Sequence, residues 1–230
     1  MTTASIKLLS SMATREVLAE LATQFQQASG CAVVLESAGG VDVAKRVLAG
    51  EAADVVILAA KAIDELIAAA RLSAESRTDI VKSGIAVAVR AGGPLPDISS
   101  AEALKQAVSG AATLSYSTGP SGVYLVGLFQ RWGIYEQIKP RIVQAPPGVP
   151  VGSLVARGEV ALGFQQLSEL INLPGIVVVG PMPAEVQSIT TFTGAVSTTS
   201  AHADLARSLL AFLSAPQRAP VLARQGMQPP

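Results

Sequence analysis

The chain has 230 residues, 50% of them hydrophobic, with 17 basic and 17 acidic side chains and a net charge of +0. Zero net charge excludes a nucleic-acid binder, which needs a basic footprint, and 4% aromatic residues are too few for a stacking platform. No apolar run is long enough to span a bilayer, so no direct membrane insertion is expected, and the single cysteine excludes an internal disulfide and a cysteine-based metal cluster.

In chain order, 6–9 reads as a short strand. The spacing of Val17, Leu18, Leu21, Ala22 and Phe25 then predicts a helix over 14–28 with one buried face, closed at Ser29-Gly30. A strand over 31–35, a helix over 43–48, a fully apolar strand over 54–58 and a helix over 62–70 follow. Strand–helix alternation of this kind implies a parallel sheet with ligands at the carboxyl ends of its strands. Further on, 85–90 reads as a strand, 100–108 as a helix, 113–117 as a strand and 122–132 as a helix, with Val123, Val126, Leu128 and Phe129 supplying apolar contacts. The remaining pattern predicts strands over 142–144, 161–164 and 176–179 and helices over 153–157 and 167–171. A strand over 189–192 leads through Gly194, a helix covers 203–214, and a last helix lies near Val221. The reading is an α/β chain of two lobes, 1–83 plus 194–230 and 84–193, with crossing strands near Lys82-Ser83-Gly84 and over 190–194. A cleft between lobes is a frequent place for a small-ligand site and can close by a hinge.

Three small-polar turns stand where a strand should feed a helix: Ser10-Ser11, the stretch from Glu36 through Ser37 to Gly39 and Gly40, and Ser117-Thr118-Gly119-Pro120-Ser121-Gly122. Such turns leave hydroxyls and backbone N–H groups at a helix N-terminus, which holds an anion without a charged side chain. Capping alone would explain Ser10 or Ser11 singly. In the third turn, Gly119 and Gly122 allow close backbone approach, and Ser121 can cap the helix while donating to a ligand. Gln165 and Gln166 directly follow a strand, so one of them is expected to point toward the site, where an amide suits a carboxylate or an oxyanion. Arg15 and Lys82 are the nearest cations in sequence, and Tyr116 and Tyr124 read as core aromatics with a polar end. Cys31 reads as a small buried hydrophobe and His202 as a solvated or capping residue, since no second histidine exists to complete a typical zinc site. Nucleotide-binding glycine motifs are absent. No cofactor and no metal are expected, and no convincing general base stands out, with Glu36 and Lys82 chosen by position alone.

The chain resembles the molybdate-binding family of type 2 solute-binding proteins. The likeness runs essentially end to end, carried by Leu8-Leu-Ser-Ser11, the stretch from Lys45 to Val55 (KRVLAGEAADV), Tyr116 to Gly122, Gly158 to Phe164 (GEVALGF) and the ending Gly226-Met227-Gln228-Pro229. The resemblance implies a two-lobed fold and an oxyanion held by two serines, backbone N–H groups and a tyrosine hydroxyl. The first serine falls on Ser10 or Ser11 and the second on Ser37. The amides fall on Ser121 and Gly122, with a further contact from Pro147 to Val151, taking in Gly148 and Val149. The family tyrosine falls near Gln165 or Gln166, a departure that sets molybdate itself apart. The Phe-Gln-Gln version is similar to a divergent branch that resembles aconitate isomerase, an enzyme with this fold. The implied function is therefore binding of a small anion, an oxyanion or an organic carboxylate, and the resemblance implies an ABC transporter membrane component as partner; the alternative is isomerisation of an unsaturated tricarboxylate. The opening Met-Thr-Thr-Ala-Ser shows no basic segment, apolar stretch and cleavage site. It implies a cytoplasmic protein if Met1 is the native start and a periplasmic one if a leader precedes it.

Overall fold

The computed structural model describes residues 5–146 and 148–230. The chain divides into two units, Met1–Ser83 with Thr191–Pro230, and Gly84–Thr190.

The first unit opens with β1 (Ser5–Ser11), α1 (Arg15–Ser29), β2 (Ala32–Ala38), α2 (Gly40–Leu48), β3 (Val55–Ala59) and α3 (Ala60–Ala68). The apolar stripe of α1 is buried as its periodicity predicts, through Val17, Leu18, Leu21, Ala22 and Phe25. The helix stops at Gly30, whose left-handed φ of 72° lets its N–H reach the Gln26 carbonyl. β1 lies parallel to both β2 and β3. Side chains alternate across this sheet. Ile6, Leu8, Val55 and Ile57 join the core under α1, while Leu9, Val56 and Leu58 join the one under α2 and α3. The two layers of helix cover both faces, which is why these strands are almost continuously apolar.

β4 (Thr78–Arg90) carries the chain into the second unit. It contains both the expected strand over 85–90 and the expected crossing segment near Lys82-Ser83-Gly84; only its start at 78–81 lies outside them, because Asp79 and Lys82 flank the short apolar pair of the buried Ile80 and Val81. There follow α4 (Ala101–Gly110), β5 (Leu114–Tyr116), α5 (Pro120–Arg131), α6 (Tyr135–Ile138), α7 (Val151–Ala156), β6 (Leu162–Gln166), α8 (Leu167–Leu170) and β7 (Ile176–Pro181). Strand order here is β5-β6-β4-β7, with β5 and β6 parallel and β4 antiparallel to both its neighbours. Ile85, Val87 and Val89 face Leu104, Leu125 and Phe129, and Ala86 and Ala88 face Leu170 on the other side. β8 (Ile189–Val196) then brings the chain back to the first unit, where it pairs antiparallel with β3, and α9 (Ala203–Ser214) and α10 (Ala219–Arg224) complete the α1 core.

Three expectations are corrected. The segment at Ile142 is an isolated bridge to Leu114 rather than a strand; Pro140 and Pro146 flank it and cannot donate to a ladder. Val123 is 71% exposed, because the buried face of α5 is Ser121, Gly122, Leu125, Leu128 and Phe129, and a residue two positions from Ser121 lies on the far side of a 3.6-residue helix. Both α2 and α5 start earlier than the apolar pattern suggests, at Gly40 and Pro120; Pro120 is suited to a first-turn position, where its missing N–H leaves no bond unmade.

Candidate functional site

In the first unit the candidate residues gather where β1 and β2 end. Their parallel register sets Ser10 opposite Ser37 and Ser11 opposite Ala38. The Ser10 and Ser37 hydroxyls share a 2.7 Å hydrogen bond, and the Ser10 hydroxyl also donates to the Ser11 carbonyl at 3.3 Å. Neither Ser10 nor Ser11 caps a helix through its side chain. Ser11 is 6% exposed, and its Oγ is a buried polar atom without a partner among the described residues. It lies beside the start of α2, since a Cβ on Gly40 would stand 3.6 Å from the Ser11 Cβ. Gly39 is the N-cap residue of α2, with no side chain to cap with, so the first N–H groups of this nine-residue helix have no intrahelical acceptor. An orphan hydroxyl beside such donors is a ready anion subsite.

In the second unit the candidates gather at the carboxyl ends of β5 and β6. Tyr116 pairs with Phe164 in the parallel ladder, so Ser117 and Gln165 leave adjacent strands at one edge. The Ser117 hydroxyl lies 3.2 Å from that of the buried Ser121 and accepts from the Gly119 N–H at 3.3 Å. Thr118 is exposed on the turn. A Cβ on Gly122 would overlap the Ser117 carbonyl oxygen. Glycine at that position is what lets the turn fold down over the first turn of α5.

The remaining candidates are engaged within the second unit. Gly148 adopts a left-handed φ of 77°, and the Val149 N–H is used by the Pro146 carbonyl at 3.0 Å; Pro147 lies outside the described residues. Gln165 is 3% exposed. Its Oε1 accepts from the Val151 N–H at 2.9 Å, and its Nε2 donates to Glu169 at 2.8 Å. The amide thus ties α7 to α8. Gln166, equally buried, donates to the Thr190 hydroxyl at 2.8 Å. Sequence reasoning missed Glu169 and Thr190. Glu169 sits four positions after Gln165, but across a strand-to-helix turn, where no single periodicity applies.

The residues weighed as alternatives separate by environment. Tyr116 is buried, and burial, followed by the neighbouring Tyr135, pushes its hydroxyl up to about 12; it packs on Phe129 as a core aromatic. Tyr124 donates to the Val186 carbonyl at 2.9 Å. Arg15 is exposed and pairs with Glu16. Glu36 pairs with Arg46, which also holds Glu51. Lys82 bridges to Gln228 through its backbone. His202 is the exposed residue preceding α9 and makes no side-chain cap. Cys31 is buried, which raises its thiol pKa. Among the described residues no group of His, Cys, Asp and Glu could hold a metal ion, and no helix is long and apolar enough to cross a membrane.

Comparison with known proteins places this geometry in a family context. The sequence model of the bacterial extracellular solute-binding proteins matches residues 6–228. An aconitate isomerase of Pseudomonas sp is 37% identical over 233 aligned residues, covering 98% of this chain and 88% of the relative. In fold, the chain is similar to the periplasmic molybdate-binding protein of Azotobacter vinelandii (TM-score 0.81, 21% identity, 98% and 99% of the two chains). It is similar also to a sulfate-binding protein of Mycobacterium tuberculosis H37Rv (TM-score 0.79, 17% identity, 98% and 87% covered).

Proposed function

The chain belongs to the bacterial extracellular solute-binding protein family, and from that premise we propose that it binds a small anion through serine hydroxyls and helix N-terminal amides. The observation that carries the reading is the Ser11 hydroxyl, buried and without a partner beside the start of α2. A buried donor left unsatisfied costs about 1–3 kcal/mol, a penalty that an incoming anion removes. In the same unit Ser10, Ser37 and the first amides of α2 are neutral groups held by the strand register and the helix start, and in the second unit Ser117, Ser121 and the first amides of α5 form a separate neutral set. Preorganised donors bind with little reorganisation. As a transport component, the protein delivers this anion outside the cytoplasm to the membrane part of an ABC transporter.

A second reading is favoured by one finding, the 37% identity to an aconitate isomerase over 98% of this chain. Under it the anion is an unsaturated tricarboxylate, and the protein moves a proton between two of its carbons. The absence of the family tyrosine near Gln165 and Gln166 supports a carboxylate over molybdate. A thermal-shift panel with molybdate, tungstate, sulfate, phosphate, citrate and cis- and trans-aconitate tests the first reading. A ligand at a hundred times its dissociation constant adds about 2.7 kcal/mol, or roughly 2–4 °C per kcal/mol for a chain of this size. No shift with any of these anions overturns anion binding. Proton NMR of cis- and trans-aconitate with the protein tests the second, and absence of interconversion overturns it.

A further inference from the structure

A proton shift between carbons needs a group that takes the proton and returns it. Among the groups considered so far, Glu36 is exposed and ion-paired to Arg46, His202 stands at the exposed start of α9, and the Tyr116 hydroxyl is buried in the aromatic core. Glu169 differs from all three. It is half-buried at the start of α8, directly after β6, and therefore stands at the same carboxyl edge of the parallel β5–β6 pair as Ser117 and the first turn of α5. Its Oε1 accepts from Gln165 Nε2 at 2.8 Å, and the other end of that amide accepts from the Val151 N–H at 2.9 Å. A glutamine in a fixed orientation, donating to one carboxylate oxygen, holds the carboxylate in one position. One buried and one part-buried hydrogen bond fix that orientation.

Resting on the isomerase reading above, we propose that Glu169 is the proton carrier of this protein and that Gln165 is its positioning residue. The substrate class is an unsaturated tricarboxylate with a methylene next to the double bond. The Glu169 carboxylate takes a proton from that methylene: the C–H bond breaks, an O–H bond forms, and the electron pair spreads over the three-carbon allylic system and the attached carboxylate. In the same unit, the amides of Ser121 and Gly122 and the Ser117 and Ser121 hydroxyls supply neutral donors for that developing charge, as donors preorganised for an oxyanion do. The same carboxylic acid returns the proton to the far carbon, the double bond moves by one position, and Glu169 is ionised again. No oxidant, reductant or second substrate enters.

The test uses the whole chain with cis- and trans-aconitate in deuterium oxide, read by proton NMR, beside thermal shifts with the same ligands. For Glu169→Gln the account expects interconversion and deuterium incorporation to fall by about 10²–10⁴-fold, the range for a general acid–base group, while the ligand-induced thermal shift persists. Glu169→Asp, which keeps the carboxylate one methylene shorter, is expected to recover part of the turnover. Gln165→Met is expected to lower kcat with KM little changed, an effect on chemistry that loss of packing alone would not give. Glu169→Gln turning over within a few-fold of the wild type overturns the proposal and leaves the isomerase reading intact. A wild-type protein that binds aconitate and neither converts nor deuterates it overturns both.

Discussion

The two serine clusters are built differently. In the first unit, Ser10 and Ser37 are brought together by the register of two parallel strands, and the orphan Ser11 hydroxyl is fixed by the same ladder. In the second, Ser117 and Ser121 belong to one turn and the helix it feeds, and they meet because Gly122 has no side chain. Strand register is hard to change without moving every side chain to the other face. A turn over a glycine is changed by one methyl group. The first cluster therefore sets a fixed donor pair, and the second is the more easily broken of the two clusters.

The largest expected effect follows from that contrast. Gly122→Ala places a methyl group on the Ser117 carbonyl, and the turn must lift from α5. The expected outcome is loss of the ligand-induced thermal shift, with about 1–3 kcal/mol of stability lost as in other overpacked sites, measured by urea unfolding. Unchanged ligand response would detach this turn from the site. Replacing Ser121 by a bulky residue, such as Ser121→Leu, is expected to abolish the response as well, since its buried hydroxyl packs against Ser117.

Ser11→Ala sharpens the comparison because two readouts should move in opposite directions. Removing a buried hydroxyl without a partner should leave stability unchanged or raise it by up to about 1 kcal/mol. Affinity for the anion should fall about tenfold, equivalent to about 1.4 kcal/mol. Equal affinity in titration calorimetry would show that the hydroxyl is a packing feature alone. Ser37→Ala, by contrast, strands the buried Ser10 hydroxyl beside only its weaker 3.3 Å contact and should cost about 1 kcal/mol in stability as well as affinity.

The smallest effect concerns the ion pairs on the outer side of the first cluster. Hydrogen bonds from Arg46, and next from Lys7, lower Glu51 to about 2 from its ordinary 4.5. A carboxylate depressed on folding stabilises the native state above its unfolded value, and that contribution is lost as pH falls through the folded one. Melting temperatures of wild type and Glu51→Gln should therefore differ slightly near pH 7 and converge between about pH 4.5 and 2. A constant difference across that range would contradict the assignment. The side chain is partly open to solvent, so salt should narrow the gap.

Much of the fold was legible because local periodicity coincides with burial. The stripe of α1 emerges from its spacing alone, and the apolar run of β3 from its position between two helix-covered faces. The serine turns were legible as types of residue, but not as pairs. That Ser10 meets Ser37 depends on a register between strands 27 residues apart, which no local pattern encodes. Gln165 was legible as a residue at the end of a strand, whereas its partners were not. Both ends of its amide are held by α7 and α8, helices that the sequence indicates over 153–157 and 167–171, but how they meet Gln165 is set by tertiary packing that no local pattern encodes. Val123 departs from its apolar character for a plain reason: two positions on from the buried Ser121 it stands about 200° round the helix, on the solvent face.

The most direct measurement of the central claim is titration calorimetry of the wild type and Ser11→Ala with trans-aconitate, with molybdate as the competing oxyanion. The account predicts saturable one-site binding of the carboxylate to the wild type, about tenfold weaker in the variant. Absence of binding by either anion, or binding that ignores the loss of the Ser11 hydroxyl, would contradict it.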